Sequence, residues 1–478
     1  MKVFSQDYET VIGLEVHAEL NTASKIFCSC PTVFGAAPNT LCCPVCAGLP
    51  GGIPSLNREA VEKAITAGLA LHCEVARLCR MDRKQYFYPD LPKAYQISQN
   101  EYPICKNGYL DIQTEEGQKR IGITRIHMEE DAGKLTHTPD GTMVDCNRCG
   151  VGLIEIVSEP DLRSAEEAVS YLKELRSILL VCNVSDCKMQ EGSFRCDVNL
   201  SVRPRGSTAM GVRTEIKNLN SFSFAEKAIE AEIERQRAEL EKDGRVLQRT
   251  VRFLPATGKT EPMRRKESTA DYRFFPEPNL PPLRIEDKIV ERLRRVLPEL
   301  PSEKRMRLQD AYGISCDDAQ VMTEAIGAAD YYEQAASHTR YPVQLCHILL
   351  NDLLRFCESE PFRCPVSAVR LGELADLLGE ETVTRSTARK LLMRLIETDF
   401  SPHDVAIAEE LTQINDERVL WSWVEETVSE EVRAVEDYRG GKSHAKKALQ
   451  GKVMAKSRGR ANPVLAERLL MKKLDGEG

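Results

Sequence analysis

In the stretch "GLEVHAEL", residues 13–20, apolar Leu14, Val16, Ala18 and Leu20 alternate with Glu15, His17 and Glu19. That period of two predicts a β-strand with one core face and one face carrying three ionisable groups. Residues 121–126 and 153–157 alternate in the same way and are also predicted strands. Between such runs the period lengthens to that of helices at 56–65, 164–175 and 224–240, and the second of these opens on a Ser-x-x-Glu capping box. Four prolines in "FPEPNLPP", residues 275–282, then stop both patterns. Beyond them strand signals fade. Helical spacing governs 289–297, 302–311, 341–357, 366–378, 386–396 and 420–428. The pattern predicts an α+β region followed by an all-α region: a first domain over 1–290, a helical domain over 291–400 and a small helical tail over 401–478.

Length adds that 478 residues exceed what one core serves, so several domains are expected. No apolar run suits a signal peptide or a membrane span, so the expectation is a cytoplasmic protein without membrane contact. The net charge of −8 argues against general nucleic-acid affinity, yet it conceals a local exception. From Arg439 to Lys473 eleven positive residues face one acid, Glu467. A solvated helix normally mixes signs, so Lys442, Lys446, Lys447, Lys456, Arg458 and Arg460 are candidate phosphate contacts. "RGRANP", residues 458–463, reads as a turn between two helices that exposes its charges.

Two groups of residues carry candidate chemistry. Seventeen cysteines produce chance pairs, but Cys28-x-Cys30 followed by Cys43-Pro-Val-Cys46 has four-thiolate knuckle spacing and predicts a structural zinc over residues 26–48. Cys146-x-x-Cys149 lacks a partner pair and is read as chance. Carboxylates also recur inside strand-like runs, at Glu15, at Glu129-Glu130-Asp131 and at Glu155. Two such charges about 4 Å apart repel by roughly 4 kcal/mol at an effective dielectric near 20. A divalent cation is the simplest compensation if they converge, and Mg²⁺ suits carboxylates shared with phosphates. Pairing of each with a nearby Arg125 or Arg148 is the equal alternative. Alternating Arg195, Lys217 and Arg264 would suit a nucleotide's phosphates. "TGKT" at 257–260 is no P-loop, because Phe253 stands where the first glycine is required.

Taken together, "VIGLEVHAEL", "DRKQYFYPDLPKAYQISQ", "RIGITRIHMEEDAGK", "LIEIVSEPDLRS", "SFRCDVNLSVRP", "RTEIKNLNSF" and "DYRFFPEPNLPP", in this order, resemble the B subunit of the aspartyl/glutamyl-tRNA amidotransferase family. The resemblance runs from Tyr8 to Leu474. It implies a glutamine-synthetase-like antiparallel-sheet cradle, then a helical domain and a helical tail that touches tRNA. It implies a ligase that forms a carbon–nitrogen bond with glutamine as amido donor. ATP phosphorylates the side-chain carboxylate of Glu-tRNA(Gln) or Asp-tRNA(Asn). Ammonia released by a separate glutamine amidase subunit then displaces the phosphate, and a small third subunit makes the complex a heterotrimer. By the family's pattern Glu15, His17, Glu130 and Glu155 are the magnesium residues. Glu19 is set aside, as relatives often carry Gln there. Gly152, Phe274 and Asn279 depart from the family's usual Pro, Tyr and Asp. A zinc-stabilised RNA-binding scaffold without chemistry is the alternative, and the acidic faces separate the two.

Overall fold

A computed structural model describes residues 7–243, 245–263, 272–359, 362–440 and 443–475. The chain forms two compact units, Met1–Pro301 and Ser302–Gly478.

The first unit is built on a nine-stranded sheet. In chain order its strands are β1 (Tyr8–Glu19), β2 (Glu74–Val75), β3 (Cys105–Thr114), β4 (Gly117–Glu130), β5 (Gly152–Ser158), β6 (Phe194–Pro204), β7 (Thr214–Leu219), β8 (Arg249–Leu254) and β9 (Lys259–Pro262). Their spatial order is β9-β8-β7-β6-β1-β5-β4-β3-β2. Neighbours run antiparallel except β7 and β8, which are parallel. A parallel pair needs a long crossover, and the 22-residue helix Phe222–Asp243 supplies it. The mixed sheet departs at that one pair from the antiparallel expectation.

The "GLEVHAEL" stretch lies within β1, flanked by β5 and β6, the most protected position for a strand that buries Val16 and Ala18 completely. Helices Arg58–Ala70 and Ala165–Val181 cover the apolar side of the sheet and enter its core with Ala64, Ile65, Leu172 and Leu175. Ser164 caps the latter helix by accepting from the Glu167 amide at 3.1 Å, while the Glu167 carboxylate reaches back to the Arg163 amide at 2.7 Å.

The proline stretch belongs to this unit. Phe275–Pro276 pairs with Asp82–Gln85, which pairs in turn with Tyr95–Ser98, and Leu283–Arg284 pairs with Leu78–Cys79. "TGKT" forms the hairpin joining β8 and β9, with no helix directly after it among the described residues, so it does not have the build of a phosphate-binding loop.

The second unit is helical and holds two apolar clusters. One gathers Leu308, Tyr332, Leu349, Leu374 and Leu391, and the other Leu420, Val424, Leu449, Val453 and Leu470. The predicted helix at 341–357 is Pro342–Ile348 followed by a π-turn, Leu349–Leu353, and a 3₁₀ turn, Leu354–Phe356.

Candidate active site

Register alone assembles the site. Arg195 on β6, His17 on β1, Glu155 on β5 and His127 on β4 are successive cross-strand partners. One row along, Asp197 lies opposite Glu15; in the other direction Glu19, Leu153 and Glu129 line up. Side chains of period two place the polar members of these rows on one face.

His17 Nε2 lies 3.2 Å from Glu155 and 3.5 Å from Glu129. His127 Nε2 approaches the same two carboxylates at 3.4 and 3.6 Å, and its Nδ1 is buried without a partner among the described residues. Burial would push the His17 imidazole down, but its hydrogen bond to Glu155 and the charge of Glu129 outweigh it and raise its pKa to about 8. Glu155, although buried, is held well below the ordinary carboxylate range by His17 and His127. Glu15 is raised instead, by burial and then by Glu155, although Asn199 donates to it at 2.8 Å. One oxygen or nitrogen from each of His17, Glu129 and Glu155 falls within 4.8 Å of the others, and Glu15, Asp197 and Glu215 form a second such group. Carboxylate oxygens with one imidazole are a donor set that fits a hard divalent cation.

Glu130 stands apart from this cluster. Its carboxylate is buried, ion-paired with Lys93, and accepts from the Ile97 amide at 2.9 Å. Glu129 takes the place beside His17 that the resemblance gives to Glu130. The reason is a bulge: Val157 pairs with Arg125 but Ser158 with Ile123, so β4 slips by one residue at Thr124. Beyond it Ile126 and Met128 face the core, and Glu130 shares their parity, whereas Arg125, His127 and Glu129 face the polar row. The apolar residues at 126 and 128 were the readable signal.

Of the phosphate candidates, Arg195 donates to Asp131 at 2.9 Å, and Lys217 pairs with Asp197 at 2.5 Å and Glu215 at 2.8 Å. Arg264 lies outside the described residues. Glu19, set aside from the sequence, is pushed up to about 8 by burial and by Asp131. Sequence reasoning gave no site role to His127, Asp131, Asp197 or Glu215; register brings in His127, Asp197 and Glu215, and the ion pair with Arg195 brings in Asp131.

The sulfurs of Cys28, Cys30, Cys43 and Cys46 lie within 4.8 Å of one another. Tetrahedral zinc at about 2.3 Å from each sulfur fits such a cage. Cys46 is driven down to about 4, first by the Cys28 thiol, then, against burial, by the Cys43 amide and the Lys25 ammonium. Lys25 is fully buried, 3.5 Å from the Cys46 sulfur. Cys146 and Cys149 are outside the cage.

The basic tail folds as helices Ser443–Lys456 and Pro463–Leu474, joined by a turn in which Arg458 and Gly459 adopt positive φ. Its charge is not one-signed in space. Lys446 pairs with Glu467, Lys456 with Glu426 and Glu430, Arg460 with Glu410, and Lys473 with Glu425. Lys447 and Arg458 are exposed and make no ion pair among the described residues; Lys442 lies outside them.

No helix is long and apolar enough to cross a membrane among the described residues. Residues 10–291 match a family model described as the GatB/GatE catalytic domain, and residues 330–474 one described as the GatB domain. Relatives named as the B subunit of aspartyl/glutamyl-tRNA(Asn/Gln) amidotransferase occur in Caldicellulosiruptor saccharolyticus, 48% identical over 477 residues, and in Caldanaerobacter subterraneus subsp. tengcongensis, 49% identical over 471, each alignment covering 98% of this chain and 99% of the relative. The relative from Moorella thermoacetica, of the same name, is 48% identical over 477 residues, with 98% and 100% covered. With the catalytic-domain match spanning the whole polar sheet and near-half identity from end to end, the chain belongs to the B-subunit family of the aspartyl/glutamyl-tRNA(Asn/Gln) amidotransferases.

Proposed function

We propose that the polar face of the sheet phosphorylates the side-chain carboxylate of Glu on tRNA(Gln), or of Asp on tRNA(Asn), at the expense of ATP. A carboxylate oxygen forms a bond to the γ-phosphorus as the bond to the β-bridging oxygen breaks, releasing ADP. Ammonia then attacks the acyl carbon, phosphate departs with the bonding pair, and the amide loses a proton. The ammonia comes from glutamine hydrolysed by a partner amidase, with a further small protein in the complex.

The observation that carries this reading is the convergence of His17, Glu129 and Glu155 on the polar face of the sheet. Phosphoryl transfer between two anions depends on positioning and charge neutralisation more than on a protein nucleophile. His17, Glu129 and Glu155 would hold Mg²⁺, and Glu15, grouped with Asp197 and Glu215, would hold a second such ion. When bound, Mg²⁺ offsets the charge on the transferring phosphoryl group. Arg195 and Lys217, at the β6–β7 side, would meet the remaining phosphate oxygens on exchanging their present carboxylate partners. Lys93 holds Glu130 on the other side of the strand, away from the transferring group. The four-cysteine cage would hold zinc as a structural brace, and Lys447 and Arg458, with Lys442, would contact tRNA phosphates.

The test is reconstitution with the amidase and the small protein, supplied with ATP, Mg²⁺, glutamine and Glu-tRNA(Gln) or Asp-tRNA(Asn). Formation of Gln-tRNA or Asn-tRNA that requires ATP supports the reading. Amidation independent of ATP, or none with either tRNA, overturns it.

A further inference from the structure

Beside the carboxylate–histidine row lies a feature that phosphoryl transfer does not use. The strand ending in Phe275–Pro276 runs along Asp82–Gln85, held also by the Tyr272 carbonyl accepting from the Gln85 amide at 2.9 Å. Tyr86, Tyr272 and Phe274 thereby form a file of rings, each centroid 6.0 Å from the next in edge-on contact. Lys84 lies alongside, its ammonium 4.9 Å from the Tyr272 centroid and 5.8 Å from that of Tyr86. It makes no ion pair among the described residues, unlike Arg83 on the opposite face, which is locked to Glu277 at 2.6 Å.

The file has a direction. Its inner end, Tyr86, reaches toward Gln96, whose side chain donates to the Glu130 carbonyl. Burial first, and then the charges of Glu129, Asp90 and Asp131, raise the Tyr86 phenol. The Lys84 ammonium acts in turn on Glu155. At the outer end Tyr272 and Phe274 are 37% and 36% exposed. Aromatic rings left open to solvent beside an unpaired cation are what an unpaired nucleic-acid strand needs: bases stack on the rings and a phosphate meets the cation.

We propose that Tyr86, Tyr272 and Phe274, with Lys84 beside them, are the platform on which the unpaired 3′ end of the aminoacyl-tRNA stacks while its amino-acid side chain reaches the His17–Glu129–Glu155 cluster. This rests on the proposed function. The amino acid is esterified to the last nucleotide, so that nucleotide must lie within one side chain's reach of the reacting oxygens. A free nucleotide would require one ring. The file offers three in succession, leading from the carboxylates to solvent, which favours a strand as the occupant.

The experiment uses the reconstituted complex with the Tyr272→Ala/Phe274→Ala double variant, both residues being outside the reacting cluster. The KM for Glu-tRNA should rise about tenfold or more, while the KM for ATP stays within about twofold. The aromatic exchange Tyr272→Phe/Phe274→Tyr should restore the wild-type KM. Anisotropy of a labelled acceptor-stem hairpin with a four-nucleotide 3′ overhang should show the same loss of affinity, and a blunt hairpin should show none. A rise in KM for ATP alone would make the adenine of ATP the occupant and overturn the proposal. Unchanged constants, or equal loss for blunt and overhanging hairpins, would also overturn it. If the wild-type complex fails to amidate, the proposed function falls, while the hairpin measurement still decides whether the platform binds a single strand.

Discussion

The sheet's polar face and the C-terminal tail are both dense in charge, and they handle it in opposite ways. In the tail, lysines and arginines find glutamates at positions 410, 426, 430 and 467, so much of the run is neutralised and only Lys447 and Arg458 remain outward among the described candidates. On the sheet, Glu129 and Glu155 gather around two imidazoles instead of a lysine or arginine partner. Surface ion pairs contribute little each, about 0–1 kcal/mol, and can be exchanged for phosphates cheaply. Buried carboxylates held a few ångströms apart are costly to keep and mark a site that expects a positive partner.

The contrast can be broken from either side. Glu155→Gln leaves shape intact but removes the charge that both histidines share, so ATP-dependent amidation by the complex should fall by about 10³-fold. Circular dichroism should stay unchanged. Removing the thiolate cage should act on stability instead: Cys28→Ser/Cys46→Ser, or extraction of the metal by a strong chelator, should abolish bound zinc and lower the melting temperature by at least about 5 °C. Metal analysis and calorimetry check this.

A third prediction concerns a buried carboxylate that is fully satisfied. Glu232, in helix Phe222–Asp243, accepts from Arg235 at 2.8 Å, Gln236 at 2.9 Å and Thr260 at 3.0 Å. Burial would raise its pKa, but Arg235 and Gln236 hold it below the ordinary value. A depressed folded value means stability that is present above the unfolded value, about 4.3, and lost as pH falls through the folded one. Glu232→Ala should cost on the order of 3 kcal/mol in denaturant unfolding at pH 7. Glu232→Gln should flatten the loss of stability below about pH 4. The smallest effect lies in the tail. Lys447→Ala/Arg458→Ala should weaken tRNA binding several-fold and lower the salt slope by about two, while Lys456→Ala, removing a residue already paired with Glu426 and Glu430, should change it by less than about twofold. Equal effects would erase the distinction between paired and outward cations.

The same contrast explains what could be read from residues alone. Period-two alternation located β1 and β5, and the spacing of four cysteines located the cage, because both are local signals. Loss of strand signals after the prolines located the helical unit, though the prolines themselves pair back onto the first unit and the compact break falls at Pro301. Partners were not legible. A one-residue bulge at Thr124 decides whether Glu129 or Glu130 meets His17, and bulges leave only the faint parity of Ile126 and Met128 in the sequence. The glutamates that neutralise the tail lie far along the chain, Glu417 being 51 residues from its partner Arg468, beyond any window of local charge.

The central claim is that Glu129, rather than its neighbour, completes the phosphoryl-transfer cluster. It is tested most directly by measuring ADP release dependent on Glu-tRNA, with no ammonia source, in complexes carrying Glu129→Gln. Loss of release by about 10²-fold or more, with the fold intact and Glu-tRNA still bound, is the predicted result. Release at the wild-type rate would contradict the account.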